Sequence, residues 1–305
     1  MNTQKSYGYA HKGYAESLSE FGEPLELPRS GGWILKRPIP RSSLYDAMGC
    51  YPLFACRNWR GLRDDIEDFK NELVCLSLVT DPFGSYNHTD LSGCFTDLCL
   101  PYKDHLVADV KQPIERIVSK SHRATVRRAL RRVRVERCSD PMIFFDDWLS
   151  LFTELCKRYN ISGIRKFSPS SFRKQFSVPG IELFRAIADD NTTVGMDIWY
   201  STGEVAYGHL VACSELGYAL RASYAMKWFV LEYFKNRVGW LDFGGLSDQN
   251  QGEGLKQYKM GWSTGVRTTY LCGRIFNRSK YAQLQKSRAV SSTSYFPAYR
   301  VGEFS

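Results

Sequence analysis

The order of helical and strand-like segments in the second half of the chain is the feature that most restricts its fold. Two segments with apolar residues at helical spacing come first, followed by three strands, a long helix, a strand, a short helix and a closing strand. This order predicts an α+β fold in which helices cover both faces of a mixed sheet. The predicted segments are Asp147–Tyr159, a helix from Pro169, Ile181–Ala188, Thr193–Tyr200, Glu204–Cys213, Ser223–Arg237, Trp240–Phe243, Gly254–Met260 and Val266–Arg274.

The first half has a weaker pattern, and Asp140-Pro141 interrupts the chain between the two halves. Residues 1–43 are rich in glycine, proline and serine and are predicted to be mostly irregular. We therefore predict two domains, residues 1–140 and residues 141–305, a number that the length of 305 residues also favours. The predicted elements of the first half are a strand at Trp33–Pro38, a helix at Trp59–Leu73 and strands at Val74–Val79 and Leu106–Val110.

The composition and the cysteine pattern argue against several classes of protein. No run approaches the roughly 18 apolar residues of a membrane-spanning helix, and the polar N-terminus lacks the apolar core of a secretion signal, so we expect a cytoplasmic protein. Nine cysteines spread over a long chain do not suggest a disulfide framework. The best metal candidates lack the paired spacing of structural zinc ligands, so we expect no bound metal. These candidates are His88, Cys94, Cys99 and His105.

The positive charge is concentrated in one segment. Residues 111–137 hold ten of the 41 lysines and arginines and two of the 32 acids, which gives this segment +8 of the formal net charge of +9. A helix over residues 120–134 would place basic side chains on one face, where like charges at i,i+4 are destabilising. We therefore expect this face to bind phosphate groups, although a solvated helix that pairs with acids elsewhere stays open. The expected phosphate or nucleic-acid ligands are Lys120, Arg123, Arg127 and Arg131, with Arg134 on the same face.

Four motifs of the second half, with the basic segment before them, resemble a known group of enzymes. The motifs are Tyr207-Gly-His-Leu-Val-Ala, Ala222-Ser-Tyr-Ala, Trp240-Leu-Asp-Phe-Gly-Gly and Gly254-Leu-Lys-Gln-Tyr-Lys-Met-Gly-Trp, preceded by Lys120-Ser-His-Arg-Ala-Thr-Val-Arg-Arg-Ala. In this order they resemble the acetyltransferase fold of the GNAT type. More narrowly, they resemble the Fem-type aminoacyltransferases of peptidoglycan cross-bridges and their GNAT relatives, over residues 105–275. The resemblance implies two GNAT-like domains in tandem, the first degenerate, and acyl or aminoacyl transfer onto an amine.

The carrier of the acyl group is open between aminoacyl-tRNA and acyl-coenzyme A, and neither would be a tightly bound cofactor. Gln249-Asn-Gln-Gly-Glu-Gly254 matches the pyrophosphate-binding motif of GNAT enzymes, but it follows the wrong strand, so we interpret it as a turn. At the expected place, Glu215-Leu-Gly-Tyr-Ala-Leu-Arg-Ala contains no glycine-rich cradle. The coiled-coil arm of the longer Fem proteins, a tRNA-binding feature, has no counterpart in this sequence. The implied acceptor is an amine, for instance on a phosphorylated precursor.

Three residues are the catalytic candidates. Lys259 occupies the lysine of the Tyr-Lys-Met-Gly-Trp motif, and the resemblance implies that it stabilises the transition state. Asp242 ends a buried strand, where it would orient the amine or Lys259, or else cap the glycine turn. His209 alternates with Tyr207 along a strand and is either a general base or a satisfied core histidine. The substrate-binding candidates are Tyr207, Ser223, Tyr224, Gly244, Gly245 and Tyr258, of which Ser223 would serve equally well as a helix N-cap and Tyr258 would either pack or donate a proton.

A non-catalytic protein that binds RNA or another anion on the same scaffold is the alternative, because fold alone does not establish activity. The two interpretations differ in where they place the basic segment. Transfer from a phosphate-bearing carrier requires this segment to meet Lys259 and Asp242 at one cleft. Simple anion binding makes no such demand.

Overall fold

The computed structural model describes residues 6–246, 253–288 and 293–304. Its strands are β1 (Glu23–Leu27), β2 (Gly32–Pro38), β3 (Tyr45–Gly49), β4 (Cys75–Val79), β5 (Leu98–Asp109), β6 (Val133–Cys138), β7 (Ile181–Ala188), β8 (Thr193–Ser201), β9 (Val205–Cys213), β10 (Trp240–Gly245) and β11 (Gly265–Ile275). Its α-helices are α1 (Lys12–Ser17), α2 (Leu62–Asp68), α3 (His88–Cys94), α4 (Ile114–Ile117), α5 (Lys120–Ala129), α6 (Phe145–Tyr159), α7 (Pro169–Gln175), α8 (Glu215–Leu220), α9 (Ala222–Phe234), α10 (Glu253–Met260) and α11 (Arg278–Ser287).

The chain forms two compact units, and each is assembled from separate stretches of sequence. The first unit consists of Met1–Tyr102, Ser162–Gln175 and Thr268–Ser305. The second unit consists of Lys103–Ile161 and Phe176–Arg267. The predicted division at residue 140 does not coincide with this one, because β6 pairs with β7 from Val133↔Ala188 to Cys138↔Leu183. The residues before and after position 140 therefore contribute to one sheet.

The first unit contains a mixed sheet with the strand order β1-β2-β3-β4-β11. The neighbouring strands are antiparallel except β3 and β4, which run parallel. Its core is apolar and draws on the sheet, α2 and α3. The fully buried residues Ile34, Phe54, Leu76 and Cys272 belong to this core.

The second unit contains the strand order β5-β10-β9-β8-β7-β6. The strands are antiparallel except the pair β9 and β10, which is parallel and is connected by α8 and α9. Helix α9 buries residues at i, i+3 and i+4 spacing against this sheet, among them Val230 and Phe234, which pack with Trp199 of β8. A parallel pair requires such a crossover, so the chain leaves β9 at Cys213 and re-enters at Trp240.

The predicted α+β fold with a mixed sheet is confirmed, and each predicted element of the second half is found within a few residues of its expected bounds. The basic helix was predicted over residues 120–134, but α5 ends at Ala129 and β6 begins at Val133. The alternation of Val133 and Val135 favours a strand, and pairing with β7 stabilises it. Arg134 therefore lies on a strand, and the single basic helical face was wrong beyond residue 129.

Residues 1–43 contain more structure than the composition predicts. Besides β2, which was expected, the segment forms α1 and β1, and β1 pairs with β2 from Glu23↔Lys36 to Leu27↔Gly32.

Within the described ranges, no helix has both the length and the apolar character needed to cross a membrane. The same residues contain no group of three or more potential metal ligands in a suitable arrangement.

Candidate active site

The carboxylate of Asp242 is buried where β10 ends, and it has two partners. Its oxygens lie 2.8 Å and 3.0 Å from Nδ1 of His105, a residue of β5. Its Oδ1 atom also accepts a hydrogen bond of 2.7 Å from the backbone N–H of Gly244. Gly244 has a φ of +81°, which explains why glycine follows this strand. Asp242 therefore caps the glycine turn, as one of its two predicted roles required, and also holds a histidine.

The ring of His105 is fixed by this carboxylate and by the sheet. Register between β5 and β10 places Gly245 opposite His105. Because an ionised carboxylate only accepts hydrogen bonds, Nδ1 of His105 carries the proton in this contact. In the neutral ring the lone pair is then on Nε2, which lies 3.1 Å from the position that a Cβ on Gly245 would occupy.

Lys259 approaches the same turn from α10. Its Nζ atom donates a hydrogen bond of 2.8 Å to the carbonyl oxygen of Gly245 and lies 3.5 Å from the position of a Cβ on Gly244. Burial lowers the pKa of Lys259 to about 8, opposed by the attraction of Asp242 and helped by the like charges of Lys227 and Lys103. The Gly244-Gly245 turn thus has both an ammonium group and an imidazole beside it.

His209 lies in a different setting from His105. It is the additional residue of a bulge in β9, because Gly208 pairs with Trp199 while Leu210 pairs with Ile198. The strict alternation that was used to place His209 and Tyr207 on one face is therefore interrupted between them. Burial lowers the pKa of His209 to about 3, which makes it a weak base, and its ring packs 5.2 Å from that of Tyr200. Tyr207 is buried on β9, opposite Asp242 in the β9–β10 register.

Three substrate-binding candidates lie around the start of α9. Ser223 is not the N-cap, as one of its predicted roles required, because the helix begins at Ala222 after Arg221, whose left-handed φ of 61° ends α8. The carbonyl oxygen of Ser223 accepts a hydrogen bond of 3.1 Å from the hydroxyl of Tyr258. Tyr258 packs edge-to-face on Tyr224 with ring centroids 5.0 Å apart. Burial raises the pKa of Tyr258 well above its usual range, so its hydroxyl is a poor proton donor.

The basic segment meets α10 at the N-terminal end of α5. Nε2 of His122 lies 3.0 Å from the carbonyl oxygen of Tyr258, and the N–H of Ser119 donates to the carbonyl of Gly261 at 3.0 Å. These two bonds join the start of the basic helix to the residues that flank Lys259.

The predicted phosphate ligands differ in their surroundings. Lys120, Arg127 and Arg131 are exposed, and no ion pair among the described residues involves them. Arg123 is half-buried and donates to the carbonyl oxygens of Glu115 and Val118 at 3.1 Å and 2.9 Å, so it supports the end of α4. Arg134, on β6, pairs with Glu136 at 2.7 Å.

The segment at the expected pyrophosphate position forms a helix. Ser214 caps α8, and its Oγ accepts a hydrogen bond of 3.1 Å from the N–H of Gly217. A Cβ on Gly217 would lie 2.0 Å from the carbonyl oxygen of Val194, so this glycine serves close packing. In the Gln249–Gly254 match, residues 249–252 lie outside the described residues, while Gly254 belongs to α10.

The arrangement around the glycine turn can activate an amine and stabilise negative charge. A neutral imidazole held by a carboxylate is the arrangement of a general base, and an ammonium group is a donor to an oxyanion. Lys259 and Asp242 were predicted from the sequence, whereas His105 was named only as a candidate metal ligand and not as the partner of Asp242. The signal that was available is a histidine beside the strand that was predicted to begin at Leu106.

Solved structures with the same fold were found, all at low sequence identity. FemX is 13% identical, with a TM-score of 0.67 over 89% of this chain and 93% of that chain. The C-terminal domain of a proposed lysylphosphatidylglycerol synthetase from Agrobacterium fabrum is 12% identical, with a TM-score of 0.60 over 91% of each chain. L-PGS from Bacillus licheniformis is 14% identical, with a TM-score of 0.55 over 95% of this chain and 100% of that chain.

These similarities confirm the resemblance to the Fem-type group and to the GNAT-type fold at the level of the fold. No protein-family model and no curated protein matches the sequence. The chemistry of this chain therefore has to be argued from its own residues.

Proposed function

We propose that the protein is an N-acyltransferase, which transfers an acyl or aminoacyl group from a carrier to an amine acceptor. The observation that carries the proposal is the meeting of His105, Asp242 and Lys259 at the Gly244-Gly245 turn. The fold that the chain shares with FemX and L-PGS supports it, because FemX belongs to the group whose motifs this sequence resembles.

In the proposed reaction, the nitrogen of the acceptor attacks the acyl carbonyl carbon while Nε2 of His105 takes the proton that the nitrogen loses. Asp242 stabilises the imidazolium that forms, because its carboxylate already accepts the Nδ1 proton at 2.8 Å. Lys259 uses one of its three N–H groups on Gly245 and has two for the developing oxyanion. The bond between the acyl carbon and the carrier then breaks, the departing carrier takes the proton from the imidazolium of His105, and the product is an amide. His209, for which the sequence left open a general base or a core histidine, is the weaker candidate because of its low pKa.

Substrate contacts follow from the same geometry. Gly244 and Gly245 present backbone without side chains beside Lys259 and His105, which leaves room for the reacting groups. Tyr224 and Tyr258 offer half-buried rings that pack on each other, and Ser223 anchors Tyr258 through its carbonyl. We assign Tyr207 a supporting role beside Asp242, since the two residues are opposite each other in register.

The carrier that fits best is a phosphate-rich one, and we propose aminoacyl-tRNA ahead of acyl-coenzyme A. Exposed Lys120, Arg127 and Arg131 extend from the end of α5 that contacts α10, so a carrier lying along them would reach Lys259. At the expected pyrophosphate position, the side chain of Ser214 already occupies the N–H of Gly217, and Gly217 packs against Val194, which argues against coenzyme A. A phosphorylated acceptor would use the same charges. Neither carrier would be tightly bound between turnovers.

The alternative is a non-catalytic protein that binds RNA or another anion. The bonds from Ser119 and His122 to α10 favour catalysis, because they join the basic helix to the element that carries Lys259. Anion binding alone does not require a buried histidine–carboxylate pair beside a lysine.

The test begins with native mass spectrometry of protein purified from its host, which identifies a co-purified RNA or coenzyme A species. Single-turnover transfer from that carrier is then followed with and without added primary amines. We expect an amide product that requires the amine. Carrier binding without any amide product at any amine concentration would favour the binding protein instead.

A further inference from the structure

An open groove of about 510 Å³ lies beside α10 in the second unit. Three elements form its walls. Helix α5 and its N-cap contribute Ser119, His122 and Thr125, α9 contributes Tyr224, and α10 contributes Gln257 and Met260. The groove therefore combines hydroxyl groups, an imidazole, an aromatic ring and an aliphatic side chain. Such a mixture fits an uncharged ligand with an apolar part and a polar head.

A continuous set of hydrogen bonds joins the carbonyl of Tyr258, the ring of His122 and the hydroxyl of Ser119, whose Oγ also lies 3.1 Å from Oγ of Ser121. Nε2 of His122 lies 3.0 Å from the carbonyl oxygen of Tyr258, which only accepts, so Nε2 carries the proton. In the neutral ring Nδ1 is then the acceptor, and it lies 3.0 Å from Oγ of Ser119. Ser119 therefore donates its hydroxyl proton to His122. A nucleophile, a base and a group that orients the base are thus present in the correct order.

The imidazole of His122 is held rigidly in this orientation. A Cβ on Gly261 would lie 2.2 Å from Cε1 of His122, so only glycine at this position allows the ring to sit against the end of α10. Tyr224 and Trp262 pack on the ring with centroids 5.0 Å and 5.1 Å away. Burial lowers the pKa of His122, which favours the neutral form that can accept a proton.

Another serine N-cap in the same unit shows that capping does not require the histidine. Ser214 caps α8 by accepting from the N–H of Gly217, and Ser119 caps α5 by accepting from the N–H of His122 at 3.3 Å. Only an oxygen that accepts is needed for a cap. The imidazole at Ser119 is additional, and it accepts the proton that makes serine a nucleophile.

We propose that Ser119 and His122 form a second catalytic site, which hydrolyses uncharged carboxylic esters in this groove. In the first step, Oγ of Ser119 attacks the ester carbonyl carbon and its proton passes to Nδ1 of His122. The ester C–O bond then breaks, the alcohol leaves with that proton, and the acyl group stays as an ester on Ser119. Water then attacks the acyl carbon while its proton passes to Nδ1 of His122. The C–O bond to Ser119 breaks, Oγ of Ser119 takes the proton back, and the acid is released. This activity consumes no amine and does not use His105, Asp242 or Lys259, although Tyr224 and Tyr258, which line the groove, also belong to the proposed transfer site.

Two backbone N–H groups of the first turn of α5 serve the oxyanion. Helices leave the N–H groups of their first residues without a carbonyl partner, and those of Lys120 and Ser121 follow Ser119 directly. An ester carbonyl under attack by Ser119 would place its oxygen near them. The apolar part of the ester would pack against Tyr224 and Met260.

The test uses an aryl acetate ester for turnover and a fluorophosphonate for covalent labelling, with the labelled residue located by mass spectrometry. The variants are Ser119→Asn, which keeps an N-cap, His122→Gln, and the matched control Ser214→Asn at the cap of α8. We expect labelling at Ser119 in the wild type and its loss in Ser119→Asn. We expect His122→Gln to slow labelling and acyl formation at least about a hundredfold, and Ser214→Asn to match the wild type within about twofold.

Melting temperatures decide whether a loss reflects folding. If Ser119→Asn melts within a few degrees of the wild type and still hydrolyses the ester at the wild-type rate, the proposal is wrong. A fluorophosphonate adduct at residues other than Ser119 would also overturn it. If His122→Gln is unfolded, the location of the adduct in the wild type and the Ser119→Asn rate still decide the outcome.

Discussion

Nδ1 of His105 lies 2.8 Å from Oδ2 of Asp242, although 137 residues separate the two in the chain. The contact depends on the antiparallel register of β5 and β10, in which Asp242 is opposite Val107 and Gly245 is opposite His105. The irregularity between Asp242 and Gly245 lets the carboxylate reach the ring and the N–H of Gly244 together. Both partners are buried, so each depends on the other for its hydrogen bonds.

His105→Gln is expected to reduce the single-turnover rate of amide formation by about a hundredfold or more, because the variant lacks a base at the position of Nε2. The rate would be compared with that of His88→Gln, which removes an exposed histidine of α3. Binding of the carrier should change much less than the rate. A His105→Gln enzyme that transfers as fast as His88→Gln would exclude His105 as the base.

Lys259→Met is expected to lower the turnover about a hundred- to a thousandfold, since it removes one donor to the oxyanion. The matched control is Lys256→Met, which removes an exposed lysine from the same helix, α10. Affinity for the carrier should be nearly equal in both variants, because the interaction matters mainly in the transition state. Transfer within about threefold of the control would remove Lys259 from the mechanism.

The transfer rate is expected to fall as the pH rises through about 8, where Lys259 loses its proton. Lys259→Arg stays charged over this range, so its remaining activity should not show the same decline. The comparison is a pH–rate profile of both proteins under single-turnover conditions. An identical alkaline decline in the arginine variant would assign the titration to another group.

The same group predicts how stability depends on pH. Burial lowers the pKa of Lys259 from the ordinary 10.5 to about 8, so between these values the unfolded chain binds more protons than the folded one. The free energy of unfolding contributed by this residue therefore rises from pH 8 to pH 10.5, and below pH 8 its full penalty applies. As the pH rises from 7 to 10, the melting temperature of the wild type should rise relative to that of Lys259→Met. A difference that is constant with pH would contradict this.

The double variant Arg127→Glu and Arg131→Glu is expected to weaken binding of tRNA or another polyanion. Each phosphate group that the variant no longer neutralises reduces the log–log salt slope by about 0.7 to 0.9. Arg123 is left unchanged because its bonds to the carbonyls of Glu115 and Val118 support the fold. The control is Lys70→Glu with Lys286→Glu, which changes the net charge equally in the first unit. Equal weakening in the two double variants would show that only net charge matters.

Acetyl-coenzyme A at millimolar concentration is expected to leave the melting temperature unchanged. A ligand that binds only the folded state adds about 2.7 kcal/mol of stability at a hundred times its dissociation constant, which is easily measured. The capped helix α8, where a pyrophosphate cradle would be expected, is the reason for this prediction. A saturable rise in melting temperature would indicate that coenzyme A, and not tRNA, is the carrier.

Local sequence patterns predicted the helices and strands, but they could not predict which distant segments pair with each other. The alternation in β8 and the helical spacing in α9 are properties of short segments, and both were predicted within one to three residues. Lys259 was found through a motif, and Asp242 through its position at the end of a strand. His105 could not be assigned to Asp242, because the register of β5 against β10 depends on packing between distant segments.

Two errors have specific physical causes. The basic helix was extended past Ala129 because Arg131 and Arg134 continue its spacing, whereas pairing with β7 draws Val133–Cys138 into the sheet. Tertiary pairing outweighed local periodicity there. The bulge at His209 changes which side chains share a face, and the available signal was Gly208, since an isolated glycine within a strand often marks a bulge.

The division of the chain into interleaved stretches sets an order of assembly during synthesis. Every stretch of the second unit ends by Arg267, whereas β4 of the first unit pairs with residues 271–275 of β11. A ribosome that adds about 5 to 20 residues per second therefore synthesises the last residue of the second unit before the part of β11 that pairs with β4. The edge of β4 is then exposed for longer than any strand of the second unit, and an exposed edge invites pairing with another chain. A chain truncated after Arg267 would keep every stretch of the second unit but lack residues 271–275 of β11, so the edge of β4 would stay open to pairing with another chain.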